Sequence, residues 1–351
     1  MIEHKQKILL LTHYFHPHLG GIETVSKLLA EKFSTTGNEV IVVTWTKNNA
    51  EENLPYTVAR KPSLSSLIKH FLWADVIVEN NPCLRLSWPG FIIRKHNIVI
   101  LQTWLNHNSK KATIQQRLKL KKLALANQVV AISDAIRKTI WPPAMVIHNP
   151  FDEAVFNTAD TSADRNCSFV FVGRLVSDKG TEIAIKAIEK LISSLPQQFA
   201  HQKPLLTIIG DGPERKKLHE FVLKLHLEEY VNFTGALNSV QVAQELKRHK
   251  YLLVPSVWEE PFGIVVLEGI ACGCIPIVSD SGGLPEATGD AGIVFEKNNA
   301  ASLFNTICTI ENDLSLQQKI KQAAMAHLQL HATGKIANDY LQLIQKIKTA
   351  S

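Results

Sequence analysis

Two acidic residues lie close together in the C-terminal half of the chain. Glu260 follows a predicted strand in a loop, and Glu268 lies eight residues later in a predicted helix that begins near Phe262. The neighbours of Glu268 are apolar, and burying a carboxylate costs free energy unless a partner or ligand hydrogen-bonds to it. A ribose offers two adjacent hydroxyl donors, and the start of the same helix can receive phosphate. The segment therefore predicts a site for a sugar nucleotide; the alternative is a core glutamate satisfied by the backbone.

Two cations follow the first predicted strand of the C-terminal half. Arg174 and Lys179 lie in the loop that leads from this strand into the next helix. A guanidinium presents a planar fork of donors and an ammonium a point charge, so the pair could neutralise a diphosphate. The alternative interpretation is a solvated loop.

Gly20 and Gly21 open a predicted helix after the first strand of the chain. Paired glycines at a helix start let backbone N–H groups approach an anion, or they simply form a tight turn. The sequence contains neither G-x-G-x-x-G nor G-x-x-x-x-G-K-[ST]. The absence of both motifs counts against a dinucleotide-binding dehydrogenase and against a P-loop NTPase.

Apolar runs that alternate with amphipathic stretches must position these residues. They predict strands at Lys7–Thr12, Val40–Val43, Val76–Glu79, Ile98–Gln102, Val129–Ile132, Met145–Ile147, Phe169–Val172, Leu205–Ile209, Val231–Thr234, Tyr251–Val254 and Ile275–Val278. Near-continuous apolar strands separated by helices are typical of parallel sheets covered on both faces. The fold class is therefore predicted to be α/β, with two doubly wound halves.

The length of 351 residues favours two domains. We predict domains over residues 1–150 and 168–330, joined by a polar linker over 151–167. A helix over 331–351 is predicted to pack on one of the domains, and the N-terminal domain is the candidate. In open parallel sheets ligands bind beyond the carboxyl ends of the strands, so the motifs should lie directly after strands.

The composition is that of a folded protein, with 45% hydrophobic and 20% charged residues. A net charge of +6 is compatible with an anionic ligand, a nucleic acid or a membrane surface. The five cysteines lack the paired spacing of a disulfide framework or zinc site. No signal peptide or membrane-spanning segment is evident. We therefore expect a cytoplasmic protein.

Taken together, these residues resemble the family 4 glycosyltransferases, retaining enzymes of the GT-B fold that use nucleotide-activated sugars. The similarity extends over nearly the whole chain. Residues 17–23 look like the glycine loop of the family, residues 173–180 like its diphosphate clamp, and Glu260 with Glu268 like its E-x7-E motif. Residues 131–133, 147–152 and 281–286 also follow the order of the family.

The resemblance implies two Rossmann-like domains facing a central cleft, the first on the acceptor side and the second binding the nucleotide sugar. Arg174 and Lys179 would hold the diphosphate and stabilise the leaving nucleotide, Glu268 would bind the ribose, and Glu260 the transferred sugar. Gly20 and Gly21 would let donor and acceptor approach closely. The donor site would be completed by backbone N–H groups of Phe262, Gly263, Ile264 and Val265, with the base recognised around Leu237.

The same resemblance implies no cofactor other than the nucleotide-sugar substrate, linked to UDP or GDP. No D-x-D sequence occurs, so no catalytic metal is expected. The family usually has a histidine after the fourth strand of the first domain, where this chain has Thr103 or Trp104. His107 is a candidate substitute, with a surface or acceptor-loop histidine as the alternative. Candidates for the acceptor side also occur near the glycine loop: His13, His16 and His18.

A basic stretch lies in the first half of the chain, with apolar residues interspersed. Its cations are Lys110, Lys111, Arg117, Lys119, Lys121 and Lys122. A basic amphipathic helix can lie on an anionic membrane surface; the alternative is a solvated helix face. No aromatic residues interleave with these cations, so nucleic-acid binding is not predicted.

The resemblance, together with the basic stretch, therefore implies a peripheral membrane glycosyltransferase that transfers a sugar to a hydroxyl of a glycan or lipid-linked acceptor in cell-envelope polysaccharide synthesis. Two alternatives remain open at this point. One is a non-catalytic protein of the same fold that serves as a partner or scaffold. The other is a sugar-nucleotide epimerase of the same shape.

Overall fold

The computed structural model describes residues 5–18, 20–48, 53–105, 113–159, 165, 167–194 and 203–349. The chain divides into two compact units. Unit 1 consists of Met1–Phe151 and His331–Ser351, and unit 2 consists of Asp152–Leu330.

Unit 1 is built on a parallel sheet of seven strands in the order β3-β2-β1-β4-β5-β6-β7. Its strands are β1 (Lys7–Thr12), β2 (Glu39–Thr44), β3 (Thr57–Arg60), β4 (Val76–Asn80), β5 (His96–Leu101), β6 (Gln128–Ala131) and β7 (Met145–Val146). Its helices between these strands are α1 (Gly21–Thr35), α2 (Leu64–Trp73), α3 (Leu84–Ser87), α4 (Ile114–Ala124) and α5 (Asp134–Ile140), with a 3-10 turn at Trp88–Phe91.

Unit 2 is built on a parallel sheet of six strands in the order β10-β9-β8-β11-β12-β13. Its strands are β8 (Cys167–Val172), β9 (Leu206–Ile209), β10 (Val231–Gly235), β11 (His249–Val254), β12 (Ile275–Ser279) and β13 (Ile293–Phe295). Its helices are α6 (Thr181–Ser194), α7 (Arg215–Lys224), α8 (Ser239–Arg248), α9 (Ile264–Ala271), α10 (Leu284–Thr288), α11 (Ala300–Asn312) and α12 (Leu314–Leu330), with a 3-10 turn at Ser177–Lys179.

The last helix of the chain, α13 (Thr333–Thr349), belongs to unit 1. It packs on α1 and contacts β5. Its buried face includes Ile336, Tyr340 and Ile344, which recur at helical spacing.

The sheets are apolar because helices cover both faces of each. Leu9, Leu10 and Leu11 of β1 are fully buried, as are Phe169 and Val170 of β8. The predicted strands are therefore confirmed. Two short strands escaped the prediction: β3 is a partly exposed edge strand that contains Thr57 and Arg60, and β13 has only three residues.

The order of strands reverses beside the first strand of each sheet. In unit 1 the reversal lies between β1 and β4, and in unit 2 it lies between β8 and β11. Open α/β sheets bind their ligands outside the carboxyl ends of the strands at such a switch point. We refer to these two places as the unit 1 edge and the unit 2 edge. In the described part of the chain, no helix is long and apolar enough to span a membrane.

Candidate functional site

Glycines bring two loops of the unit 2 edge into contact. Gly180, which ends the loop after β8, has a φ of +67° and a Cβ at this position would lie 1.9 Å from the carbonyl oxygen of Pro255. Only glycine permits this approach, because any side chain would meet backbone. The loop after β8 therefore lies directly against the residue that follows β11.

This contact joins the predicted diphosphate lysine to the first acid of the predicted motif. Lys179 Nζ lies 2.5 Å from Glu260 Oε1, and Ser256 Oγ donates a hydrogen bond of 2.7 Å to the same oxygen. The Glu260 side chain is 9% exposed, whereas that of Lys179 is 30% exposed. No described group donates a hydrogen bond to Glu260 Oε2, so this oxygen remains available to accept a hydrogen bond from a ligand hydroxyl.

The backbone of Glu260 is fixed as well. Gly283 N–H donates to the Glu260 carbonyl oxygen at 2.7 Å. Gly282 has a φ of +56°, and a Cβ there would lie 2.2 Å from the same oxygen. The stretch 281–286, which was noted because it follows the order of the family that the chain resembles, thus supports the loop that carries Glu260.

Arg174 also lies at the unit 2 edge, two residues after β8. A Cβ at Gly210 would lie 1.9 Å from the Gly173 carbonyl oxygen, so the loop after β9 packs against the residue before Arg174. The Arg174 side chain is exposed, and within the described residues its guanidinium has neither a hydrogen-bond acceptor nor a carboxylate partner. Its five N–H donors are therefore available to an anion.

Glu268 lies in α9, the helix that Gly263 begins in a left-handed conformation with a φ of +108°. The Glu268 side chain is mostly buried, and in the described part of the chain no group donates a hydrogen bond to it. Burial raises the pKa of Glu268 from 4.5 to about 7, and repulsion from Asp152 adds to this rise. A mostly buried acid without a donor is costly, and a ligand hydroxyl would relieve that cost.

The remaining predicted donor residues also lie at carboxyl ends of unit 2 strands. Phe262 is buried, whereas Gly263, Ile264 and Val265 are partly exposed at the start of α9. The first N–H groups of a helix have no acceptor within the helix itself. Leu237 is partly exposed just after the edge strand β10.

Gly20 and Gly21 lie in unit 1, where α1 begins at Gly21. Glu23, in the first turn of this helix, folds back so that its Oε2 would lie 2.5 Å from a Cβ at Gly20. A carboxylate in the first turn stabilises the positive end of the helix. The glycine loop thus has an acid of its own beside it.

A chain of buried polar side chains crosses the unit 1 edge, and sequence analysis missed it. We call it the amide network; its members are Thr12, Ser26, Asn80, Gln102 and Asn149. Asn80 Nδ2 donates to Ser26 Oγ at 2.7 Å, and Gln102 Nε2 donates to Asn80 Oδ1 at 2.8 Å. The available signal was the position of each amide at or just after the end of an apolar strand.

The histidine candidates have different positions. His107 lies outside the described residues, and Trp104 is partly exposed shortly after β5. His13 directly follows β1, and its Nδ1 lies 3.4 Å from Cys83 Sγ. Burial lowers the pKa of His13, and the positive charges of Arg85 and Lys119 lower it further. His16 is partly exposed and His18 is exposed.

The basic stretch is split by the fold. Lys110 and Lys111 lie outside the described residues, while Arg117 and Lys121 are exposed on α4. The prediction that Lys122 faces a membrane is wrong. It is buried, because the buried carboxylate of Glu79 in β4 needs a counter-charge, and Lys122 Nζ lies 2.5 Å from Glu79 Oε2.

The chain is similar to known glycosyltransferases in sequence. Residues 159–327 match the family described as glycosyl transferases group 1. An uncharacterized glycosyltransferase of Methanocaldococcus jannaschii is 25% identical over 338 residues, which cover 89% of this chain and 90% of that protein. The gpi3 subunit of phosphatidylinositol N-acetylglucosaminyltransferase from Schizosaccharomyces pombe is 23% identical, with 89% of this chain and 74% of that protein covered.

The fold is also found among solved structures. The crystal structure of Anabaena HepE in complex with UDP and glucose has a TM-score of 0.76 and 21% identity, over 97% of this chain and 100% of that chain. The predicted fold class, an α/β GT-B architecture of two doubly wound domains, is confirmed. The residues that match the glycosyl transferases group 1 family, 159–327, all lie in unit 2.

Proposed function

We propose that the protein is a retaining glycosyltransferase that transfers a sugar from a UDP- or GDP-sugar to a hydroxyl of a glycan or lipid-linked acceptor in cell-envelope polysaccharide synthesis. One observation carries the proposal. Arg174 and Glu268, at the unit 2 edge, have no partner among the described residues and are the two groups that a nucleoside diphosphate would satisfy.

Arg174 and Lys179 bind the diphosphate in this proposal. When the bond between the sugar and the diphosphate breaks, negative charge develops on the leaving oxygen, and fixed cations that face it lower the barrier. Lys179 is already held in place by Glu260 at 2.5 Å, so little ordering is needed when the donor binds. These two positive charges are the basis for proposing that transfer needs no metal ion.

Glu268 binds the ribose, and Glu260 binds the transferred sugar. The carboxylate of Glu268 would accept hydrogen bonds from the ribose hydroxyls. These bonds would replace the hydrogen bonds to water that the carboxylate loses on burial. Glu260 keeps Oε2 for a sugar hydroxyl while Oε1 is held by Lys179 and Ser256. We assign no enzyme nucleophile to the retaining reaction.

The acceptor reaches the protein at a membrane surface in this proposal. On α4, Ile114 is 78% exposed and Leu118 is 43% exposed, with Arg117 exposed between them. Exposed apolar side chains beside cations are what an anionic interface binds. The Schizosaccharomyces pombe relative is named as a subunit of phosphatidylinositol N-acetylglucosaminyltransferase, and phosphatidylinositol is a phospholipid. This similarity supports a lipid-linked acceptor. We therefore place the protein at the cytoplasmic face of a membrane.

Thermal unfolding with UDP, GDP, ADP and their sugar conjugates tests the donor site. A ligand at about 100 times its dissociation constant stabilises the native state by roughly 2.7 kcal/mol, which raises the melting temperature by several degrees. We expect a clear rise with uridine or guanosine compounds and a smaller one in Glu268→Ala. The matched control is Glu228→Ala, which removes an exposed acid of the same unit. If no nucleotide raised the melting temperature, the proposal would be contradicted.

The loop after β5 favours one alternative function. Trp104 stands near the place where the family resemblance leads us to expect a histidine, so a non-catalytic partner protein that only binds the donor is the second candidate. Donor stabilisation without transfer to any member of a broad acceptor panel would favour it. Transfer that is lost in Arg174→Ala would favour the enzyme.

A further inference from the structure

We propose that Arg85 and Lys119 form a phosphate-binding site at the unit 1 edge, which recognises a phosphate monoester on the acceptor. The inference rests on the proposed function, since it names the chemical class of the acceptor. It adds a second anion site to the molecule, separate from the diphosphate site of unit 2.

Arg85 is prepared for an anion. It lies in α3, which follows β4 at the switch point of the sheet, and its guanidinium carbon stands 3.7 Å from the ring centroid of Trp45. Stacking uses the flat face of the guanidinium and leaves the N–H groups at its edge free to form paired bonds to phosphate. Within the described residues, no carboxylate or other acceptor takes these donors.

Lys119 is directed to the same edge by a buried anchor. Lys122, three residues further along α4, is fixed by its ion pair with Glu79 and donates to the Ser87 carbonyl oxygen at 3.3 Å. Residues three apart in a helix share a face, so Lys119 lies on the face of α4 that packs against the sheet. Helix α4 follows the carboxyl end of β5, and Lys119 lies at the middle of this helix. In the described part of the chain Lys119 has no acid partner.

Two uncharged groups lie near both cations. The positive charges of Arg85 and Lys119 both lower the pKa of His13, although burial is the larger cause. Burial raises the pKa of the Cys83 thiol, which the charge of Lys119 opposes. Glu79 links these elements, because its Oε2 pairs with Lys122 and its Oε1 accepts a hydrogen bond of 2.7 Å from the Cys83 N–H. The turn of α4 that contains Lys119 and Lys122 therefore packs against the residues that follow β4.

The charge of the site matches a phosphate monoester. Such a group carries about −1.5 to −2 charges near neutral pH and presents three acceptor oxygens. Two cations without acid partners among the described residues can neutralise this charge. The forked donors of arginine can form paired hydrogen bonds to two of the phosphate oxygens. The monoester can belong to a soluble sugar phosphate or to a lipid headgroup.

Calorimetric titration of the full chain with glucose 1-phosphate and with glucose tests the inference. We expect the phosphorylated sugar to bind and glucose to bind at least about tenfold more weakly, the equivalent of one charge-assisted hydrogen bond. Arg85→Gln and Lys119→Gln should each weaken glucose 1-phosphate by about tenfold. Arg85→Lys should recover only part of this loss, because it restores the charge without the fork.

Two controls separate this site from the proposed donor site. Lys69→Gln removes an exposed cation of unit 1 outside both sites and should leave binding unchanged. Arg174→Ala should retain the part of the binding that Arg85→Gln and Lys119→Gln remove. Loss of glucose 1-phosphate binding in Arg174→Ala alone would place the phosphate in unit 2, which overturns this inference and upholds the donor site. Binding that is absent in the wild type, or unaffected by Arg85→Gln and Lys119→Gln, would also overturn it.

Vesicle sedimentation distinguishes the two sources of the phosphate. Phosphatidylcholine vesicles are prepared with phosphatidic acid, a monoester, or with phosphatidylglycerol, a diester of lower charge. Stronger retention on phosphatidic acid that disappears in Arg85→Gln identifies a lipid headgroup. Equal retention on both vesicles, together with loss of glucose 1-phosphate binding in Arg85→Gln, identifies a soluble acceptor.

Discussion

The unit 1 edge and the unit 2 edge have the same topology but treat their polar groups differently. In unit 1 the amide network satisfies itself, as Gln102 and Asn149 exchange hydrogen bonds of 2.8 and 3.0 Å. In unit 2, Arg174 and Glu268 find no partner within the described residues. Arg174 is exposed and Glu268 is partly exposed, so a ligand that reaches this edge can bind both groups.

Hydrogen bonds between side chains fix the unit 1 edge, whereas the unit 2 edge leaves side chains open to a ligand. The amide network ties β1, α1, β4 and β5 together, while Arg85 and Lys119 have no acid partner in the described part of the chain. Unit 2 instead uses glycines such as Gly180 and Gly210 to bring backbone close and leaves side chains open. Unit 2 therefore presents the larger set of groups prepared for a ligand.

Arg174→Ala is expected to have the largest effect, since it removes the open cation of unit 2. Loss of one preorganised group that stabilises developing charge lowers kcat by about 10²–10³. Steady-state transfer assays with the donor identified by thermal unfolding measure this. Lys216→Ala, at a side chain that is 90% exposed, is the matched control and should retain wild-type turnover. Wild-type turnover in Arg174→Ala would contradict the comparison.

Lys122→Met is expected to have the largest effect on stability. It leaves the buried carboxylate of Glu79 without a counter-charge, which destabilises a protein by about 3–5 kcal/mol. Denaturant unfolding followed by circular dichroism measures the loss. Lys121→Met, at the exposed neighbouring position, should change the free energy of unfolding by no more than about 0.5 kcal/mol. Equal effects of the two substitutions would show that the ion pair does not anchor α4.

Glu268→Gln is expected to change how stability depends on pH. Burial raises the pKa of Glu268 from 4.5 to about 7 in the folded protein, so the folded state holds this proton more tightly than the unfolded chain. The resulting stability is present below about pH 4.5 and is lost as the pH rises through about 7.

The wild type should therefore lose roughly 2 kcal/mol relative to Glu268→Gln between pH 5 and pH 8 in the absence of ligand. Denaturation at a series of pH values measures the difference between the two proteins. Glu228→Gln serves as the control, because this exposed acid should leave the pH dependence unchanged. Parallel stability curves for wild type and Glu268→Gln would argue that the carboxylate already has a partner.

Asn80→Ala should produce the smallest effect, a loss of about 1 kcal/mol or somewhat more. It removes the acceptor of Gln102 and the donor to Ser26, which water can replace only in part. Chemical denaturation detects this loss, with Gln115→Ala on the exposed face of α4 as the comparison. If Asn80→Ala were as stable as wild type, the unit 1 edge would not be self-satisfied.

Local sequence patterns predicted most of the architecture. The leucine run of β1 and the apolar run of β11 stand out because a strand buried on both faces has almost no polar positions. The contact between Lys179 and Glu260 agrees with the predicted placement of both residues after strands. Lys179 follows β8 and Glu260 follows β11, and these two strands are neighbours at the switch point.

Contacts between distant parts of the chain could not be predicted from the sequence. The pairing of Glu79 with Lys122 joins residues 43 positions apart, and a basic stretch seen alone gives no sign that one of its members is buried. The stacking of Arg85 on Trp45 and the partners of Gln102 likewise depend on how strands are ordered in the sheet. Periodicity specifies elements, whereas such pairs exist only once the elements are assembled.

In the proposed function, Arg174 binds the second phosphate of a nucleoside diphosphate at the unit 2 edge. Calorimetric titration of wild type and Arg174→Ala with UDP and UMP, or GDP and GMP, tests it directly. We predict that the wild type binds the diphosphate at least about tenfold more tightly than the monophosphate, and that Arg174→Ala binds the two nearly equally. A preference for the diphosphate that persists undiminished in Arg174→Ala would contradict the account.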